Sequence, residues 1–375
     1  MVARIIQGVG AAGMIPAALG LVLAHTAPAR RAAAIGVWGA VSSMAAAVGP
    51  SLGGLLVNVW GWRAVFLINL PLGVAFVVLA VRGVPADAAS GRRMPDPVGV
   101  IALALGMGGL VFGVTQGSSW GWGSGRVIGL LIGGAVLTGI ALLLSRRHIS
   151  PAIELDLWRS GTFAGTNITS LFFGAAMYAY LLSTLLFLNA VWGYSELRAG
   201  LAVTPGAFAA AAGAMVVGRR IGPDKQWLAV LTGSALFAGA CVLMYTLFGS
   251  EHRYLELWLP VGVLAGVGIG VALTGLSTAA ARSLAPERFA SGTGLLMTSR
   301  QAGGALGIAG LAAILQHSGL IGPHGYLQAF LGSAVCAAVA AVAAVTIRGR
   351  APGAPVVAEA APAAAPSAAG VPVAD

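Results

Sequence analysis

Arg4 and Arg300 stand inside long apolar runs. Charge at that depth in a membrane is costly and by default marks a functional position. Arginine is effectively always protonated, so neither residue can itself release a proton. Arg4, Gly8 and Ala11 share one helical face, with Gln7 beside them. Both arginines also have a plain structural reading, since long basic side chains snorkel toward span ends. The eleven acidic residues all fall in loops or the tail. Proton coupling needs an ionisable group of tunable pKa at membrane depth, and no carboxylate of this chain offers one. No P-loop is present, so nothing points to ATP hydrolysis. His25, His148, His252, His317 and His324 lie at run ends or in loops without ligand spacing. Glu251, His252 and Glu256 share one loop, where a solvated cluster is a plainer reading than a metal site. The pattern predicts no enzyme, no metal and no cofactor.

The elements that must position these residues are apolar runs at 5–24, 33–57, 64–81, 98–117, 127–145, 163–191, 199–218, 227–248, 257–281, 291–315 and 326–347. Each is close to the roughly 20 residues a helix needs to cross the hydrocarbon layer. The 375-residue chain is 58% hydrophobic and 9% charged, against about 25% charged for an ordinary soluble domain. Its 56 glycines suit a polytopic membrane protein. A formal charge of +10 would suggest nucleic acid only if the basic residues clustered on a polar face, and they sit in short loops instead. Cys241 and Cys336 lie inside apolar runs, which excludes a disulfide framework and reads as small buried hydrophobes. Residues 348–375 are rich in Ala and Pro with no periodic face, and read as a disordered tail.

Loop charge fixes an orientation. With the N-terminus outside, the inside segments hold fifteen Lys and Arg residues. The outside loops hold four: Arg63, Arg126, Arg198 and Arg253. The positive-inside rule then makes the C-terminus cytoplasmic. Trp60, Trp62, Trp120, Trp122, Trp192 and Trp258 fall at outer run ends, as interfacial anchors. A rival reading takes residues 1–29 as a signal peptide ending in His25-Thr26-Ala27-Pro28-Ala29. It would invert every later loop, against the charge count.

One run carries Gly49-Pro50-Ser51-Leu52-Gly53-Gly54 well inside it. A membrane helix tolerates this, and Gly49 with Gly53 makes a stripe where another helix can approach. Ala45-x-x-x-Gly49-Pro50-x-x-Gly53-Gly54 resembles the fifth-helix "motif C" of drug antiporters in the major facilitator superfamily, with Ala45 replacing the usual first Gly. The segment Trp62 to Gly73 resembles the next helix junction of the fourteen-helix branch, the second family of drug:proton antiporters. Residues Ala3 to Ala12 are similar to "motif B", which opens the fourth helix. Thr298 to Gly307 is similar to the penultimate helix. Val217 to Gly222 sits where a degenerate gating loop often lies, but lacks the expected Asp. The resemblance covers 1–347.

It implies an all-α fold of two helical bundles plus two linking helices, here starting at helix four and so cut to about eleven spans. Residues 1–82 would be the remainder of the N-terminal bundle, and 83–160 the linking helices and cytoplasmic connection. Residues 161–347 would be the C-terminal six-helix bundle. The implied activity is proton-coupled efflux of lipophilic, often cationic drugs or metabolites by alternating access, at the plasma membrane. Lipids, protons and a small-molecule substrate are the implied partners, and nucleic acid is not. The alternative is a truncated, non-transporting membrane remnant or assembly partner. The resemblance puts Arg4 in the central cavity, and Gln7 and Arg300 are further proton-path candidates. Helices expected to line the cavity carry Asn167, Thr169, Ser170, Tyr178, Tyr180, Thr274 and Ser277, with Asn167, Tyr178, Tyr180 and Thr274 the leading substrate contacts. Gly49, Pro50, Gly53 and Gly54 are the expected helix interface. Gly262, Gly266 and Gly270 read as a packing stripe.

Overall fold

A computed structural model describes residues 2–83, 96–148, 153–285, 288–318 and 323–348. Helix covers all eleven apolar runs to within a residue or two: α1 (Val2–Ala24), α2 (Arg31–Trp60), α3 (Ala64–Leu67) with α4 (Asn69–Gly83), α5 (Pro97–Trp120), α6 (Gly125–Arg147), α7 (Gly161–Ala190), α8 (Glu196–Arg220), α9 (Gln226–Leu247), α10 (Leu259–Arg282), α11 (Phe289–Ser318) and α12 (His324–Ala343). A π-helical turn, Tyr254–Trp258, leads into α10, and a 3-10 turn, Ala344–Arg348, follows α12. The fold is all-helical among the described residues. Among the described residues, nine helical segments are long and apolar enough to cross a membrane. The 348–375 tail lies outside the described residues except for Arg348.

Local chemistry sets the boundaries. Asp96 caps α5 by accepting from the Val98 N–H at 3.0 Å, with Pro97 at the first helical position where no donor is needed. Ser124, Ser160 and Ser195 cap α6, α7 and α8 in the same way. Gly61 and Gly121 end α2 and α5 at φ 78° and 83°, each between two tryptophans. A side chain there would strain the left-handed turn. The run at 64–81 breaks at Ile68, because Pro71 has no N–H to give the Leu67 carbonyl.

Helices α7 to α12 pack as a bundle: α7 lies on α11 and α12, α9 on α10 and α12, and α8 on α10. Helix α2 lies along α8 and touches α10, α1 lies on α11, and the α5–α6 hairpin leans on α11 through α5. No residue of α3 or α4 is buried. The bundle core is aromatic. Phe187 stacks on Trp258 with centroids 5.9 Å apart, and Phe173, Tyr180, Phe237 and Phe330 continue the cluster.

This core corrects one expectation. Trp60, Trp62, Trp120 and Trp122 are exposed, but Trp192 and Trp258 are 4% and 2% exposed. They are buried rather than anchoring, because their indole N–H groups find carbonyl partners, Gly249 at 3.2 Å and Ala202 at 3.3 Å. In the same loop Arg253 pairs with Glu251 at 3.0 Å and Glu256 at 4.0 Å, and His252 bonds the Trp192 carbonyl. Those partners account for the loop's charged cluster without a metal.

Candidate functional site

Five helices enclose a cavity of about 490 Å³. Helix α2 contributes Ile35, Trp38, Gly39 and Ser42, spaced i, i+3, i+4 and i+7 on one face. Helix α7 contributes Tyr178, Tyr180 and Thr184, α10 contributes Thr274 and Ser277, and α8 a wall of small residues around Gly206. Arg300 reaches in from α11 and is the one charged group among the described lining residues.

Glycine sets this geometry. A Cβ on Gly303 would stand 3.0 Å from the Leu171 Cα, and one on Gly174 would stand 3.1 Å from the Arg300 Cα. The α7 and α11 backbones therefore touch. Gly304 lies against the Tyr178 ring, so Arg300 and Tyr178 reach the cavity from adjoining turns. On the far wall Gly266 meets the Gly206 carbonyl and Gly270 the Ala210 carbonyl. The α10 glycine stripe thus packs on α8 and also keeps the wall smooth.

The expected site residues divide. Tyr178, Tyr180, Thr274 and Arg300 come together around the cavity. Asn167 does not line it: its Nδ2 donates to the Phe163 carbonyl at 2.9 Å, and its Oδ1 accepts from Ser299 Oγ at 2.9 Å. It ties α7 to α11 instead. Thr169 bonds its own helix through the Gly165 carbonyl, and Ser170 Oγ donates to Leu296 at 3.5 Å. Gln7 is exposed on α1 and lies away from the cavity lining. The side chains of Arg4 and Pro50 lie outside the described residues.

Within the expected glycine interface, Gly54 reaches a neighbouring helix and Gly49 and Gly53 do not. A Cβ on Gly49 or Gly53 would meet nothing within 4 Å among the described residues. One on Gly36 would lie 2.9 Å from the Gly218 Cα, and one on Gly54 would lie 3.1 Å from the Leu197 Cα. Helical period is the reason. Gly54 falls about five full turns after Gly36, on the face toward α8, whereas Gly49 and Gly53 point elsewhere. Trp38, Ser42 and Thr184 were not anticipated. The α2 spacing could have shown the first two.

One end of the cavity is closed. Leu19 and Leu23 of α1 and Ile35 of α2 pack with Leu157, Phe163, Ala281, Leu284 and Phe289, all buried. Ile35 also lines the cavity, so this apolar plug forms its floor. Arg31 lies over the Phe289 ring at 4.8 Å and donates to the Leu23 and Thr26 carbonyls at 3.2 Å. Around the plug, Arg288 pairs with Glu154 at 3.1 Å, Ser291 donates to Glu154 at 2.7 Å, and Arg282 pairs with Asp224 at 2.7 Å. Asp224 thus follows the Val217–Gly222 segment and binds it to α10.

A polyspanning helical chain around a central cavity matches a known family. The profile described as the Major Facilitator Superfamily matches residues 1–308. The chain belongs to that superfamily. Among curated members it is 34% identical over 330 residues to the multidrug resistance protein Stp of Mycobacterium tuberculosis, covering 86% of this chain and 60% of that one. It is 32% identical over 329 residues to a probable actinorhodin transporter of Streptomyces coelicolor, covering 85% and 57%. A methylenomycin A resistance protein of the same species is 29% identical, covering 88% and 69%. The chain spans about three-fifths of the length of the first two superfamily relatives.

Proposed function

We propose that the chain forms the substrate-binding part of an exporter of lipophilic small molecules that works by alternating access. The observation that carries this is the cavity floored by an apolar plug. A binding chamber shut at one end is what one state of an alternating-access carrier requires. The positive-inside rule makes the plugged end cytoplasmic, because it carries Arg31, Arg282 and Arg288; the C-terminus lies on that side, in a plasma membrane. In this reading α1 takes the fourth place of the fourteen-helix antiporter arrangement. The α7–α12 bundle is then its second half, and α5 and α6 are the linking pair. The relatives' names, with their multidrug and antibiotic resistance, support export.

Proton exchange is the expected driving reaction of such an antiporter. Yet no carboxylate lines the cavity among the described residues, and Arg300 cannot release a proton. In vesicles holding this chain with an imposed pH gradient, a lipophilic dye should bind saturably without gradient-driven, uncoupler-sensitive uptake. Uptake of that kind would show that a proton path runs through other groups. Absence of any saturable binding would favour the second reading, a non-transporting membrane component.

A further inference from the structure

The cavity holds a cationic group without a partner fit for it. Arg300 carries five N–H donors and no acceptor. Among the described residues its one hydrogen-bond partner is the Met297 sulfur, a turn earlier on its own helix. A thioether is a weak acceptor. The Arg300 backbone is held against Gly174, so the helix cannot turn to take the guanidinium out of the chamber. Thr274 is 2% exposed, and its hydroxyl, which lines the same chamber, has no hydrogen-bond partner among the described residues. A guanidinium away from bulk water needs an anion or several acceptors. No described lining residue supplies an anion. The remaining walls are mostly apolar, with Trp38, Tyr180 and Trp258 beside glycine faces and Ser42, Thr184 and Ser277 as neutral hydroxyls.

We propose that the cavity selects organic anions, binding the carboxylate or sulfonate of a planar aromatic molecule at Arg300 with Tyr178 and Thr274 as flanking hydroxyls. This rests on the exporter reading and narrows its substrate class away from cations. The guanidinium fork matches two carboxylate oxygens, and such charge-assisted pairs are the strong ones. The aromatic walls take the ring system. A volume of about 490 Å³ lies within the roughly 300–1,000 Å³ range of small-molecule sites. A cation of the same shape meets an uncompensated positive charge instead.

The test uses two dyes on one xanthene scaffold, fluorescein as the anion and rhodamine 123 as the cation. Binding to the purified chain in detergent is read by fluorescence anisotropy. Fluorescein should bind at least tenfold more tightly than rhodamine 123. Arg300→Gln should weaken fluorescein at least tenfold and leave rhodamine 123 unchanged or tighter, while Arg300→Lys should recover part of the loss. Equal or tighter binding of rhodamine 123 by the unaltered chain would overturn the anion inference and leave the exporter reading standing. Saturable binding of neither dye would overturn both. The dye comparison needs no variant, so a folding defect in Arg300→Gln cannot mask the answer.

Discussion

Gly303→Leu should leave almost no folded protein, while Gly310→Leu two turns along the same helix should leave the yield unchanged. A side chain at Gly303 runs into the Leu171 carbonyl, and its Cβ would stand 2.7 Å from the carbonyl carbon. The obstacle is backbone, held in its own helical hydrogen bonds, so it cannot swing aside as a side chain would. Overpacking of an ordinary core costs about 1–3 kcal/mol, and forcing two backbones apart also forfeits the contact along the whole α7–α11 seam. That is a large share of a marginal stability of about 5–15 kcal/mol. At Gly310 a Cβ meets nothing within 4 Å, and the new leucine faces open surface. Monodisperse yield by size-exclusion chromatography should fall at least tenfold for the first variant only. Equal yields would mean that the α7–α11 crossing is not this close.

The helices were legible because a span is a length of apolar sequence, and length survives without knowledge of neighbours. Their ends are set by capping serines, Asp96 and the glycines between tryptophans, features that a reading of apolar runs alone did not use. The cavity was legible where one polar or aromatic residue stood on a lining helix, as with Tyr178, Thr274 and Arg300. It failed at Asn167, whose amide is satisfied by Phe163 and Ser299, a pairing across helices that spacing does not reveal. It failed at Gly49 and Gly53 because a small-residue motif says that a close approach is allowed, not which face another helix takes. Trp192 and Trp258 misled for a related reason. A tryptophan at a run end is drawn inward when a protein carbonyl, such as Gly249 or Ala202, is at hand for its N–H.

The closed end should open when Phe289 is truncated. Its ring is 1% exposed and sits under Arg31, within a plug drawn from α1, α2, α7, α10, α11 and the turns beside them. Phe→Ala at a buried site costs about 3–5 kcal/mol. If that contact exists in only one of two states, about 3 kcal/mol shifts their balance roughly a hundredfold. A thiol introduced by Leu23→Cys, with Cys241 and Cys336 replaced by alanine, reports the opening. Leu23 is fully buried, so it should resist a membrane-impermeant maleimide in the parent and react at least thirtyfold faster beside Phe289→Ala, on the order of that shift. The helical circular dichroism signal separates this from general unfolding, and it should stay unchanged. A thiol that remains unreactive would show that the plug does not depend on Phe289.

The central claim is that small molecules bind between α2 and the α7–α12 bundle, and Ser42 tests it most directly. Ser42 is exposed, lines the cavity and donates to the Trp38 carbonyl at 2.8 Å. In the background lacking both native cysteines, Ser42→Cys should label readily with maleimide. Saturating fluorescein should slow that labelling at least tenfold, and should not slow labelling after Val98→Cys, a position 62% exposed on α5. Equal rates at Ser42→Cys with and without dye, under conditions where the dye is shown to be bound, would place the binding site elsewhere and contradict the account.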